Sequence, residues 1–150
     1  MQGNPKLCAA DLAVGTSREQ VVVENLSRTQ IVMYAGASGD FNPIHHDEVF
    51  ATKSAGVPSV FAHGMLTMGL TGTLLTDWLG DGVLRAFGVR FVRQVWPGDT
   101  LTAKGTVRAI APDGRVEIEL VTTNQHGERV VAGDAVAQLP VASVGTSSAG

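Results

Sequence analysis

Between His63 and Gly80 the chain runs as one long apolar segment with no wholly polar face. Leu66, Met68, Leu70, Leu74, Leu75 and Trp78 are spread around the helical circumference, with small Gly69 and Gly72 between them. A helix patterned this way does not rest on a surface by one stripe; it calls for enclosure on several sides. Gly80-Asp81-Gly82 ends it near Leu79. Four strand-like runs follow, roughly Leu84 to Val95, Thr100 to Ile110, Val116 to Asn124 and Val130 to Leu139. Pro97-Gly98-Asp99, Pro112-Asp113-Gly114 and Gln125-His126-Gly127-Glu128 separate them as short hairpin signals, so consecutive strands pair antiparallel. The expectation is an α+β fold in which a curved antiparallel sheet wraps around a long central helix.

Upstream, Glu19 to Leu26 carries Val21-Val22-Val23 and is expected as a first strand. Ser27 is a good N-cap for a helix from Arg28 to about Ala37, burying Ile31, Val32, Tyr34 and Ala35. A short helix from about Asp47 to Ser54 and a turn at Gly56-Val57-Pro58-Ser59 lead into the central helix. The first sixteen residues and Val141 to Gly150 are small and polar without periodicity, and are expected to fray. With no internal repeat or linker, residues 1–150 are expected to form one domain with its core at about 17–140.

At 150 residues, 44% hydrophobic and 17% charged, the chain is long and apolar enough for a proper core, which excludes a disordered class. A net charge of -3 provides no basic patch, so no nucleic-acid partner is expected. Cys8 stands alone and forms no internal disulfide, and no charged-then-apolar leader precedes it, which makes the cytoplasm the default location. His63, Asp77 and interspersed threonines and glycines make residues 60–79 a buried helix rather than a membrane span.

The chemistry concentrates in Ala37-Ser38-Gly39-Asp40-Phe41-Asn42-Pro43-Ile44-His45-His46-Asp47. Asp40 and His45 are too far apart for one helical turn, but Asn42-Pro43 is a turn signal that folds the segment back and lets the two side chains face one space. A carboxyl and an imidazole sharing a proton acceptor suffice for general acid and general base work near neutral pH. A second cluster, Phe61-Ala62-His63-Gly64-Met65-Leu66-Thr67-Met68, places a histidine and a glycine at the helix entrance. Free backbone N–H groups and the helix dipole there favour developing negative charge, which makes the Gly64 N–H an oxyanion-donor candidate. His63 is a weaker site candidate. His46, Asp47 and His126 are expected in solvated or capping roles. A metal is not expected, since there is no second cysteine, no His-x-x-x-His and no acidic cage.

Taken together, Tyr34 to His45 and Ala62-His63-Gly64-Met65-Leu66 resemble the MaoC-like dehydratases, the group that contains the (R)-specific enoyl-CoA hydratases. The likeness continues through Phe87-Gly88-Val89-Arg90-Phe91-Val92-Arg93 and the Pro97-Gly98-Asp99 turn, over roughly residues 28 to 138. The resemblance implies the hot-dog fold. It also implies an acyl thioester substrate, on coenzyme A or acyl carrier protein, interconverted between trans-2-enoyl and (R)-3-hydroxyacyl forms. Asp40 and His45 would be the catalytic pair activating water, Gly64 the oxyanion donor, and Asn42 and His63 supporting residues, with no cofactor. It further implies a homodimer formed through sheet edges, or a heteromer with a related subunit. Where some relatives carry a serine two turns into the long helix, this chain has Gly72 between Thr71 and Thr73.

Two other readings share the fold: a thioesterase that cleaves the same ligand, and a structural subunit of a heteromeric dehydratase. The Asp-x-Asn-Pro-x-His pattern weighs against both. Arg90 and Arg93 are placed either to meet substrate phosphates or to form surface salt bridges, and Phe50, Val57 and Phe61 to shape an acyl pocket.

Overall fold

A computed structural model of the protein describes residues 3–142. Its elements in chain order are strand β1 (Asn4–Pro5), a 3-10 turn (Ala9–Asp11), β2 (Ser17–Val23), helix α1 (Arg28–Ser38), a 3-10 turn (Pro43–His45), a π-helical turn (Phe50–Ser54), α2 (Gly64–Leu79), and β3 (Gly80–Asp81). Strands β4 (Leu84–Phe91), β5 (Leu101–Ile110), β6 (Arg115–Thr123) and β7 (Arg129–Gln138) follow. The five long strands form one antiparallel sheet in the order β2-β5-β6-β7-β4, leaving β2 and β4 as edges.

One face of this sheet grips α2. Along β6, Val116, Ile118, Leu120 and Thr122 are buried in strict alternation, and Leu101, Ala103 and Val107 do the same on β5. Val116, Ile118, Leu120, Ala103 and Val107 pack with Leu74, Leu75, Trp78 and Leu79 of α2. Trp78 lies so close to β5 that a Cβ on Gly105 would sit 3.1 Å from its Cζ3. This is the hot-dog arrangement expected from the apolar helix, with two differences. Pro97-Gly98-Asp99 closes no hairpin: β4 pairs with β7 at the far side of the sheet and not with β5, so of the three expected hairpins those joining β5 to β6 and β6 to β7 form. Met65, Gly69, Thr73 and Asp77 form a stripe of α2 that remains exposed, so the sheet encloses the helix incompletely.

Three further expectations change. Residues 3–16 do not fray: β1 pairs with β3, and Cys8 and Ala9 are buried, because the extended Gly80–Asp81 leaves a strand edge that this segment fills. The expected strand to Val95 ends at Phe91, since Val95 is buried and its carbonyl receives the Ala62 N–H at 2.8 Å. On α1, Ile31 and Ala35 are buried as expected, whereas Val32 is 51% exposed. The expected tail beyond Ala142 lies outside the described residues. Among the described residues no helix is long and apolar enough to cross a membrane.

Candidate active site

Helix α1 leads into the loop that carries Asp40 and His45. Ser27 and Gln30 close a capping box at its start, with Gln30 N–H donating to Ser27 Oγ at 3.1 Å and Ser27 N–H to Gln30 Oε1 at 2.8 Å. Gly39 ends the helix at φ 75°, a conformation that disfavours a side chain, and so turns the chain sharply into Asp40. The Ser38 hydroxyl accepts the Asp40 N–H at 3.2 Å. Two successive side-chain turns then fold the segment: Asp40 Oδ1 accepts from Asn42 N–H at 3.3 Å, and Asn42 Oδ1 from Ile44 N–H at 3.1 Å. Asn42 thereby caps the 3-10 turn that begins with Pro43 and ends with His45.

His45, only 9% exposed, donates its Nδ1–H to the Phe61 carbonyl at 2.7 Å and sets its ring edge-on to the Phe61 ring at 5.3 Å. That bond fixes the neutral tautomer and leaves the Nε2 lone pair as an acceptor. Burial pushes the His45 imidazole below its usual value, helped by His63 and His46, against the opposing Phe61 hydrogen bond and the Asp40 charge. His63, 2% exposed, stacks on His45 with ring centroids 3.8 Å apart and donates its Nε2–H to the Asp40 carbonyl at 3.0 Å. One side-chain donor or acceptor atom from each of Asp40, His45 and His63 lies within 4.8 Å of the others. The fold therefore brings together the carboxyl and imidazole that the sequence places five positions apart, and adds the second imidazole.

That trio is a poor metal cradle despite its spacing. An imidazole binds a cation in its ring plane, and two rings stacked at 27° send their lone pairs side by side rather than toward one point.

Gly64 opens α2 directly after His63, whose side chain makes no cap bond to the helix. The first-turn amides of α2 have no intrahelical acceptor. Gly64 lines a cavity of about 320 Å³ with Phe61, Ala62, Thr67, Phe91 and Arg93 among its walls. Asp40 and His45 are not part of that lining; they join Gly64 through the adjacent His63. Phe50 and Val57 are also absent from it, so of the residues expected to shape a pocket only Phe61 does so here. Arg93 lies 3.6 Å from Glu128 in an exposed ion pair, and Arg90 stands outside the cavity on β4.

The remaining polar residues of the loop have capping or surface roles. His46 donates Nε2–H to the Phe41 carbonyl at 3.2 Å, Asp47 Oδ1 accepts the Phe50 N–H at 3.0 Å, and both are exposed. The short helix expected at 47–54 is a π-helical turn over Phe50–Ser54. Sequence patterns did not point to Glu48. It receives Arg28 at 2.7 Å, the Ser59 hydroxyl at 3.1 Å and the Val60 N–H at 3.4 Å, tying α1 to both flanks of the 47–60 segment. Nor did they point to the Thr71 and Thr122 hydroxyls, buried and 2.7 Å apart between α2 and β6.

Residues 10–130 match the family model described as the MaoC like domain. A 3-hydroxyacyl-thioester dehydratase of Mycobacterium tuberculosis is 44% identical over 68 residues, covering 43% of this chain and 23% of that protein. The chain thus spans less than a quarter of that relative. An (R)-specific enoyl-CoA hydratase of Rhodospirillum rubrum is 31% identical over 79% of this chain and 83% of its own length. Among solved structures, an unliganded R-hydratase from Pseudomonas aeruginosa superposes with a TM-score of 0.81 at 28% identity, covering 93% of this chain and 89% of that one.

Proposed function

The chain belongs to the MaoC-like family, and on that premise we propose that it adds water to trans-2-enoyl thioesters, giving (R)-3-hydroxyacyl thioesters, and catalyses the reverse dehydration. The acyl group is carried on coenzyme A or acyl carrier protein. The observation that carries this reading is the His45 Nδ1–H bond to the Phe61 carbonyl, which leaves Nε2 as the acceptor on a ring that has a nitrogen within 4.8 Å of an Asp40 carboxylate oxygen.

In hydration, His45 Nε2 takes a proton from the bound water as the water oxygen bonds to the β carbon. The negative charge that develops spreads to the thioester carbonyl oxygen, where the Gly64 N–H at the start of α2 receives it. The proton given up by the water passes over the pair, and Asp40 delivers it to the α carbon. Dehydration runs the same steps backward. Asn42 acts by capping the turn that presents His45. A neutral His45 is required at the outset, and burial favours that form.

We further propose a homodimer that joins sheet edges, for which β4 is a candidate: it lies at the sheet edge next to the cavity wall formed by Phe91. Light scattering across a concentration series tests it, with a monomer at all concentrations as the contrary result.

Crotonyl-CoA tests the activity. Loss of the enoyl absorbance without thiol release, with an (R)-3-hydroxy product on chiral analysis, is the expected result. Thiol release without hydration makes the protein a thioesterase. Full hydration by an Asp40→Asn, His45→Gln double variant places the chemistry elsewhere.

A further inference from the structure

Resting on the hydration reading, we propose that His63 is a positioning residue of the reaction: its imidazole holds the backbone of Asp40 and the ring of His45 in fixed relation at the entrance of α2. Three independent contacts meet on this one ring. Its Nε2–H is given to the Asp40 carbonyl at 3.0 Å, one face stacks on His45 at 3.8 Å, and Tyr34 of α1 lies against it at 5.0 Å.

The position itself argues for a role beyond helix entry. His63 occupies the N-cap of α2, where a short oxygen-bearing side chain would satisfy a first-turn amide, yet its side chain makes no cap bond. Its Nδ1 is buried with no hydrogen-bond partner, a penalty that an apolar ring filling the same space would avoid. A residue kept for packing alone needs neither the lost cap nor the orphaned nitrogen. What the imidazole uniquely supplies is a donor for the Asp40 carbonyl and a flat face for His45 at the same time.

The stack also constrains charge. The ring of His63 covers one face of His45, and burial of that ring favours its unprotonated, base-competent form. The other groups facing His45 are Asp40 and His46 on its own loop and the Phe61 carbonyl ahead of α2, with Tyr34 beyond His63.

Nitrogen NMR of the wild-type protein with ¹⁵N-labelled histidine provides a test without mutation. The proposal requires the proton of His63 on Nε2 and that of His45 on Nδ1; the opposite tautomer at His63 overturns it. Two variants separate the contacts: His63→Asn keeps an N–H donor without the ring, and His63→Phe keeps a ring without the donor. Both are expected to lower kcat by about tenfold to a hundredfold with little change in KM. In His63→Asn the acid limb of kcat/KM moves to higher pH, because the face of His45 that His63 covered is opened to water; a packing defect away from His45 would not move it. A folded His63→Asn with the wild-type kcat and acid limb overturns the role while leaving the hydration reading intact. A wild type that hydrates no enoyl thioester removes both. If neither variant folds, the wild-type tautomers decide.

Discussion

The Nδ1–H of His45 meets the carbonyl of Phe61 at 2.7 Å, so a backbone oxygen sixteen positions downstream determines which ring nitrogen is left as an acceptor. No side chain of Phe61 is needed for this, and the contact survives any substitution there that keeps the backbone in place. The proposed catalytic pair is consequently held by main chain as much as by side chains.

Asp40→Asn and His45→Gln should each lower kcat for enoyl thioester hydration at least about a hundredfold, a loss near 3 kcal/mol of transition-state stabilisation. KM should change far less. Steady-state kinetics on protein shown to be folded by circular dichroism check this. Asn42→Ala should have a smaller effect, losing a turn cap of about 1 kcal/mol, visible as a lower Tm.

The acid limb of kcat/KM should lie below the ordinary imidazole value of 6.5, because burial disfavours protonated His45 and the reaction needs the neutral ring. The same shift acts on stability with a definite sign. Below 6.5 the unfolded chain binds a proton that folded His45 resists, so this contribution to stability is present at neutral pH and declines as pH falls through 6.5 toward the folded value. Denaturant titrations at a series of pH values should show His45→Gln losing part of the wild type's acid sensitivity.

Gly64→Ala would place a Cβ 2.9 Å from Phe91 Cε2, but Phe91 is 48% exposed and free to swing aside. The fold should tolerate the change, with alanine's better helix propensity offsetting part of the crowding. The methyl and the displaced ring should nonetheless obstruct the approach to the Gly64 N–H and lower kcat/KM about tenfold or more. Adding Phe91→Ala should relieve the crowding without restoring the rate, as thermal melts and kinetics on the two variants will show.

Thr71→Val should cost about 1–3 kcal/mol, because Thr122 is left with a buried hydroxyl lacking its partner. Thr71→Val combined with Thr122→Val should cost less than the sum of the single changes. Urea titrations provide the numbers.

Features governed by near neighbours were legible in the sequence. The Ser27 cap, the extent of α2 and the hairpins after β5 and β6 depend on residues a few positions apart, and α2 spans Gly64–Leu79 as its pattern predicts. The turn at Pro97-Gly98-Asp99 was legible but its partners were not, since β4 finds β7 across the sheet rather than the strand that follows it. The approach of His45 to Asp40 was legible because Asn42-Pro43 announces the turn. The His45–His63 stack was not, since nothing in either local pattern states that α2 begins beside the loop. Cys8 and Ala9 belong to the core only because Gly80–Asp81 extends into an edge, a contact between distant segments of a stretch with no periodicity. Strand β4 stops at Phe91 for a similar reason: the strand-like pattern continues to Val95, but Val95 is recruited to the segment ahead of α2.

The bond from His45 to Phe61 and the bonds from Ser59 and Val60 to Glu48 cinch the chain at the neck of the excursion between them. What lies beyond the neck, apart from the fully buried Ala51, includes exposed positions such as Val49 that can change in length and composition while Asp40 and His45 stay put, since lengthening a closed loop costs only slowly more entropy. Insertions at the tip should therefore leave Asp40 and His45 where they stand, an arrangement suited to grafting.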